Sequence, residues 1–256
     1  MATKNAMLID LTMCIGCNSC QDACKLVNKL PEGEEHDLSA TAYTALNQYN
    51  EVYVRRLCQH CIDPTCASVC PVGAITKLAE GPVVYDETKC IGCRYCMQAC
   101  PFQVPRYQWS STYPKIIKCK FCAERQAQGL QTACAEACPT GATKFGVRDD
   151  LVREAYARIN AEPGKYINKV YGVEEVGGTS ILYVTAVPFE QLGFRTNLQS
   201  SALPMLTWNV LEKIPNVVSI GGVMLYGIWW ITNRRKEVQQ HEKKHQEHRN
   251  DIDSQH

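Results

Sequence analysis

Net charge is almost absent from this 256-residue chain: 27 lysines and arginines against 26 acidic residues leave a formal charge of +1. No overall basic field therefore draws it to nucleic acid. Apolar bulk is short as well. Hydrophobic residues make up 45%, about 115 of them, but 16 are cysteine, and without those about 39% remain. That is lean for the length, so something besides apolar burial must help to hold the fold, yet it is too hydrophobic for disorder throughout. No P-loop, dinucleotide-binding fingerprint or nucleophile motif is present, so the chain is not an enzyme by itself. Met1 to Ala6 shows no secretory or twin-arginine leader before the first apolar strand. Without that export route, cysteine points to metal or redox chemistry rather than to a disulfide framework.

Cysteine is what the chain does have, in four groups of four. They are Cys14, Cys17, Cys20, Cys24; Cys58, Cys61, Cys66, Cys70; Cys90, Cys93, Cys96, Cys100; and Cys119, Cys122, Cys134, Cys138. Groups one and three read C-x-x-C-x-x-C-x-x-x-C, while groups two and four place 4 and 11 residues before the third cysteine. Proline follows the last cysteine of groups two, three and four, as Pro71, Pro101 and Pro139; Lys25 stands there in group one. This is the run that bacterial two-cluster ferredoxins use, the fourth cysteine reaching the neighbouring 4Fe–4S cluster from the start of a helical turn. Gly16 and Gly92, inside two C-I-G-C loops, allow close backbone approach. Structural zinc uses C-x-x-C pairs set well apart, and loop neighbours two residues apart cannot form disulfides without strain. The sixteen cysteines are therefore expected to bind four 4Fe–4S clusters as iron ligands.

The chain also repeats itself. Asp10-Leu11-Thr12-Met13-Cys14-Ile15-Gly16-Cys17 matches Asp86-Glu87-Thr88-Lys89-Cys90-Ile91-Gly92-Cys93 at six of eight positions, and Cys70-Pro71-Val72-Gly73-Ala74 echoes Cys138-Pro139-Thr140-Gly141-Ala142. Each D-x-T-x-C loop follows a short apolar strand, Ala6 to Ile9 or Val83 to Tyr85, as a ferredoxin-like α+β unit requires. Taken alone, the repeat suggests that group one pairs with two and group three with four.

These motifs, with Cys58-Gln59-His60-Cys61, Asp63-Pro64, Gly92-Cys93-Arg94-Tyr95-Cys96-Met97, Cys100-Pro101-Phe102 and Val176-Gly177-Gly178-Thr179-Ser180, resemble the four-cluster ferredoxin-like subunits of respiratory molybdopterin oxidoreductases. The likeness is greatest to the β subunit of membrane-bound formate dehydrogenase and the iron–sulfur partner of periplasm-facing nickel–iron hydrogenase. The resemblance implies an α+β fold of two ferredoxin-like two-cluster units with nested cysteine pairing, plus one C-terminal transmembrane helix. The implied ligand sets are Cys14, Cys17, Cys20 with Cys138; Cys24 with Cys119, Cys122, Cys134; Cys58, Cys61, Cys66 with Cys100; and Cys70 with Cys90, Cys93, Cys96. It also implies a catalytic molybdopterin or nickel–iron partner and an integral membrane partner, quinone-reactive or a cytochrome b. With sixteen thiolates and four oxidised cores at +2, formal charge would fall from +1 to about −7. Arg55, Arg56, Arg94, Arg106, Lys115, Lys118 and Lys120 lie near the cysteines and could offset it, or could be solvated surface charge. His60 reads as a neighbour of the ligands, not a ligand.

Residues 1–148 are expected to form the four-cluster domain, with an inner unit at about 50–105, and 149–190 a helix–strand extension. In the extension, Asp149 or Asp150 caps a helix whose stripe is Leu151, Val152, Ala155, Tyr156 and Ile159. Residues 191–213 read as a connector, extended over 188–207. Residues 214–233 carry no charge over a length that spans a bilayer, with Trp208 and Trp229-Trp230 near its ends. The span has no histidine to ligate haem. Arg234-Arg235-Lys236 after it, against Lys213 before it, places the polar tail 234–256 in the cytoplasm and the cluster domain on the periplasmic side of the inner membrane. The reading is an electron-transfer subunit anchored in membrane lipid; a soluble polyferredoxin is the alternative that the span disfavours.

Overall fold

The computed structural model describes residues 4–253, with side chains through residue 244. Met1 to Thr3, where the leader reading begins, and the last three residues of the polar tail lie outside the described residues. The chain forms two compact units, divided between Met205 and Leu206. In the first, the elements run β1 (Asn5–Asp10), α1 (Ser19–Asn28), β2 (Thr44–Tyr49), β3 (Val52–Leu57), α2 (Thr65–Ser68), β4 (Ile75–Lys77), β5 (Val83–Tyr85), α3 (Tyr95–Ala99), β6 (Arg106–Tyr107), β7 (Ile116–Ile117), α4 (Ala123–Ala127), α5 (Ala133–Glu136), β8 (Thr143–Val147), α6 (Arg148–Ala161) and β9 (Ile181–Val184). Helix α7 (Leu203–Leu211) straddles the division, and α8 (Ile214–Asp253) lies in the second unit.

Strand β1 is apolar on both faces because both are covered. It sits between β8, antiparallel, and β9, parallel, in a three-stranded sheet. Met7 and Ile9 face a core with Phe121, Tyr171 and Tyr183, while Ala6 and Leu8 face Leu151, Ala155 and Ile159 of α6. The other strands form three separate two-stranded hairpins, β2–β3, β4–β5 and β6–β7. So little regular structure around so many cysteines accords with the lean apolar content.

Two local expectations change. Helix α6 begins at Arg148 with Val147 at its cap and no side-chain cap bond, so neither Asp149 nor Asp150 caps it. Both lie in its first turn, where their charge meets the positive end of the helix dipole. Leu151, Ala155 and Ile159, four apart, form the buried stripe; Tyr156 falls off it and is 39% exposed. Nor is 188–207 extended throughout. Phe189–Leu192 makes a 3-10 turn, Phe189 and Leu192 are buried, and the Phe189 and Phe194 rings pack 5.1 and 4.8 Å from Tyr171. Aromatic burial anchors this stretch, and α7 occupies its end.

In the second unit, α8 is one continuous helix from Ile214, with Pro215 in its first turn, where a missing N–H costs nothing. Among the described residues it belongs to the one helical stretch, Leu203–Lys244, long and apolar enough to cross a membrane. Its apolar side chains are exposed, Val217, Val223 and Leu225 by 67%, 73% and 70%, so it is not a buried core helix. The Thr232 hydroxyl donates to the Ile228 and Trp229 carbonyls, so its own polar group is met within the helix.

Substituting Leu8→Ala should destabilise the first unit by about 2–5 kcal/mol, whereas Leu26→Ala, at an 81% exposed position, should change stability by no more than about 0.5 kcal/mol. Denaturant titration of the two variants under anaerobic conditions makes the comparison.

Candidate metal centres

Each cysteine group begins with a loop that turns at one fixed place. The residue before the second cysteine has positive φ in all four: Gly16 at 74°, His60 at 48°, Gly92 at 73° and Phe121 at 55°. Glycine adopts this freely, but histidine and phenylalanine do so at a cost of about 1 kcal/mol or more each. Their rings compensate by stacking on each other, centroids 4.8 Å apart and planes within 20°. The turn aims backbone amides at sulfur: Gly92 N–H donates to Cys90 Sγ at 3.4 Å and Phe121 N–H to Cys119 Sγ at 3.3 Å. In groups one and three the D-x-T residues build the approach. Asp10 Oδ1 accepts from Thr12 N–H at 3.0 Å and its hydroxyl at 2.6 Å, and Asp86 does the same with Thr88 at 3.0 and 2.6 Å.

The third cysteine of every group sits on a short helix, and the fourth follows four residues on, one turn away. In groups two, three and four the fourth cysteine ends a helical turn where its start was anticipated. Pro71, Pro101 and Pro139 enter β-turns closed by Gly73, Gln103 and Gly141 N–H to Cys70, Cys100 and Cys138 carbonyls, at 3.3, 3.1 and 3.3 Å. Lys25 leaves α1 free to continue to Asn28. Burial raises the Cys70 thiol, but amides of Ile75, Val72, Ala74 and Gly73 outweigh it and bring the pKa below its ordinary value.

The fold divides each turn-spaced pair between two places. Cys14, Cys17 and Cys20 line one cavity together with Cys138. Cys24 lines another, with Cys119, Cys122 and Cys134. Elsewhere, Cys61 has Cys58, Cys100 and Cys66 as its charge neighbours, and Cys96 has Cys90, Cys93 and Cys70. Cysteines of group one thus have group-four neighbours, and those of group two have group-three neighbours. Burial, then repulsion from those neighbours, pushes the Cys24 and Cys66 thiols up to about 12 and Cys96 to about 11. Such sulfurs hold their protons until a cation replaces them. None of the sixteen is in a disulfide. Among the described residues no three His, Cys, Asp or Glu side chains converge closely enough to chelate one ion. Four thiols lining one cavity, with amides aimed at sulfur, fit an iron–sulfur core, whose irons are ligated separately.

Comparison with known proteins agrees with that donor set. Residues 49–148 match a 4Fe-4S dicluster domain. The chain is 42% identical over 250 residues to a protein of Nitratidesulfovibrio vulgaris, covering 91% of this chain and 68% of that one. It is 36% identical over 233 residues to the hydrogenase-2 operon protein HybA of Escherichia coli O157:H7, covering 73% of this chain and 71% of HybA. It is also 36% identical over 200 residues to the iron–sulfur subunit of the nitrate-inducible formate dehydrogenase of Escherichia coli K12, covering 70% and 67%. The chain belongs to the family of ferredoxin-like iron–sulfur subunits.

Within this iron–sulfur subunit, the basic residues near the cysteines separate into kinds. Arg56 stacks over Tyr49, Arg94 over Trp109 and Lys120 over Tyr43, while Lys115 pairs with Glu87 and Arg106 with Asp37. Only Arg55 and Lys118 of the seven are buried, 3% and 4% exposed. His60 is fully buried, its Nδ1 accepting from Val83 N–H at 3.0 Å, beside the ligand loop and not at the surface. Val176 to Ser180 proves to brace group two: Ile62 N–H donates to the Gly178 carbonyl and Thr179 bridges Cys61. One residue escaped notice in the sequence. Lys77 is held on the carbonyls of His60 and Gly81, at 3.1 and 2.5 Å; a lone lysine two residues from a turn carries no signal of burial.

A Cβ at Gly16 would lie 2.5 Å from the Tyr53 ring, on a backbone that side chains rarely adopt. Gly16→Ala should therefore lower both melting temperature and bound iron. Gly146→Ala, which meets Leu151 at an ordinary 3.7 Å, should leave both unchanged; iron assay and thermal melts report the contrast.

Proposed function

We propose that the chain is an electron-transfer subunit carrying four 4Fe–4S clusters between a catalytic subunit, formate dehydrogenase- or hydrogenase-like, and a quinone-reactive membrane subunit. Family membership supports the iron–sulfur role, and the relatives' names, a formate dehydrogenase subunit and a hydrogenase-2 operon protein, support the kind of complex. One observation supports the rest: Cys14, Cys17, Cys20 and Cys138 line one cavity, Cys24, Cys119, Cys122 and Cys134 another, and cysteines of groups two and three neighbour one another. Cys20 neighbours Cys134, Cys119 neighbours Cys58, and Cys66 neighbours Cys96. On this reading the nested sets are the ligand sets: Cys14, Cys17, Cys20, Cys138; Cys24, Cys119, Cys122, Cys134; Cys58, Cys61, Cys66, Cys100; and Cys70, Cys90, Cys93, Cys96.

When bound, such clusters accept and release single electrons without forming or breaking bonds to a substrate. The chain's own residues hold them at fixed spacing, since each i, i+4 cysteine pair ties two neighbouring sets to one helical turn. Apolar packing around Cys24, Cys58, Cys119 and Cys134 keeps water from the middle of the row. Its ends are open: Cys17 and Cys93 are exposed, beside Ile15 and Ile91 at 61% and 66% exposure. Those ends are the proposed contacts with the two partners. Helix α8 is the proposed single-pass anchor, packing on a membrane partner through Ser219, Gly221 and Gly222, with the tail cytoplasmic and the cluster domain periplasmic.

Anaerobically purified protein should hold about 16 iron and 16 sulfide per chain; stoichiometric zinc with little sulfide would end the proposal. Cys14→Ser and Cys138→Ala should disturb one and the same paramagnetic resonance signal, and Cys24→Ser the signal that Cys119→Ser disturbs. A shared effect of Cys24 and Cys58 variants would restore sequential pairing.

Truncation after Leu206 should leave the clusters intact while releasing the subunit or its complex from the membrane and uncoupling it from quinone. Protease added to spheroplasts should reach the cluster domain and spare the tail. The opposite pattern reverses the orientation, and a truncated protein that stays bound and coupled removes the anchor.

A further inference from the structure

Among the described residues, Arg55 is the charged side chain that borders two sulfur cavities at once. It lies on β3 opposite Leu46, is 3% exposed, and lines both the Cys14, Cys17, Cys20, Cys138 cavity and the Cys24, Cys119, Cys122, Cys134 cavity. Neutral groups hold its guanidinium in place. Nε donates to Thr44 Oγ1 at 3.0 Å, and Nη1 to Thr143 Oγ1 at 3.3 Å and Met7 Sδ at 3.7 Å. Among the described residues, no carboxylate stands within ion-pair distance of it. A buried charge without a counter-charge costs several kcal/mol, and folds do not keep one idle. The cysteines of both cavities that Arg55 borders belong to groups one and four.

We propose that Arg55 is a positioning charge shared by the two clusters of groups one and four, holding both reduction potentials up together. This rests on the cluster assignment proposed above. Each cluster becomes more negative by one charge when reduced, so a fixed cation between two of them favours the reduced form of both. Arginine suits the place better than lysine, because its planar fork can present donors to two sites while its stem stays packed.

Potentiometric titration followed by paramagnetic resonance tests this on the full-length protein, with the two signals assigned beforehand by Cys14→Ser and Cys24→Ser. In Arg55→Gln those two clusters should each show about a tenfold lower reduced-to-oxidised ratio at a fixed potential, about 59 mV for a one-electron couple, and the other two should stay put. Arg55→Lys, which keeps the charge, should recover at least half of the shift. Full iron content with no shift, a shift shared equally by all four clusters, or an Arg55→Lys shift as large as that of Arg55→Gln would overturn the proposal. If Arg55→Gln fails to hold iron, Arg55→Lys decides: bound clusters near wild-type potential support the charge, and iron loss there rejects it. Wild-type protein lacking about 16 iron would instead overturn the underlying assignment, and Arg55's role with it.

Discussion

A thiolate taken out of water needs positive charge beside it, and sixteen thiols in one chain make that need the constraint around which the first unit is built. Burial pushes Cys24 and Cys66 to about 12, so the sulfur sites are poor anions until cations replace their protons. Much of what an ordinary domain gains from apolar packing must then come from metal–sulfur bonding. The elements are accordingly brief: α2 and α5 have four residues each, β6 and β7 two each. None of these would persist alone. The two helices each carry a cysteine, Cys66 and Cys134, while Leu8, Leu182 and their neighbours supply one conventional sheet–helix core.

The sequence is legible where chemistry dictates spacing. Cys20 and Cys24, or Cys66 and Cys70, are four apart because one helical turn is the distance between adjoining sites, and that survives any packing detail. The D-x-T turns were visible for the same reason, as both copies use the same two bonds from threonine to aspartate. Strands Ala6 to Ile9 and Val83 to Tyr85 were visible as apolar runs. Neighbours far apart in the chain were less legible: the repeat joins group one to two, whereas Cys138 of group four lines the cavity of Cys14, Cys17 and Cys20, because β8 returns beside β1. Only a contact between residues far apart in the chain carries that information.

What stayed hidden depends on burial. Seven basic residues looked alike in sequence, and nothing local distinguishes Arg55, sunk between two sulfur sets, from Arg56 beside it, whose guanidinium meets Tyr49 and the Gly193 carbonyl. Alternation along β3 puts the two on opposite faces, and only the sheet's surroundings tell which face is inward. His60 and Phe121 hid differently. Their positive φ belongs to a position that glycine fills in the other two loops, so aligning the four groups by their second cysteine would have exposed it. The loop repeat was read from the two glycine loops, and those are the two in which the backbone demand leaves no trace of strain.

Duplication has also left two similar loops in unlike settings, which shows how a copied sulfur loop acquires a separate role. Asp10 and Asp86 make the same turn, but Asp10 is fully buried and its second oxygen accepts from Arg158 and Tyr166, each at 2.9 Å. Asp86 lies at the surface with Lys89, 3.3 Å away. The first copy is tied through Arg158 to α6, and so to the core outside the sulfur sites. The second has no such tie; its surroundings are Arg94 over the rings of Tyr107 and Trp109, with Trp109 68% exposed. A loop anchored to a helix keeps its geometry whatever docks on it, whereas a loop edged by exposed aromatic rings gains from being covered. The same D-x-T turn before a cysteine group is thus compatible with quite different surroundings in its two copies.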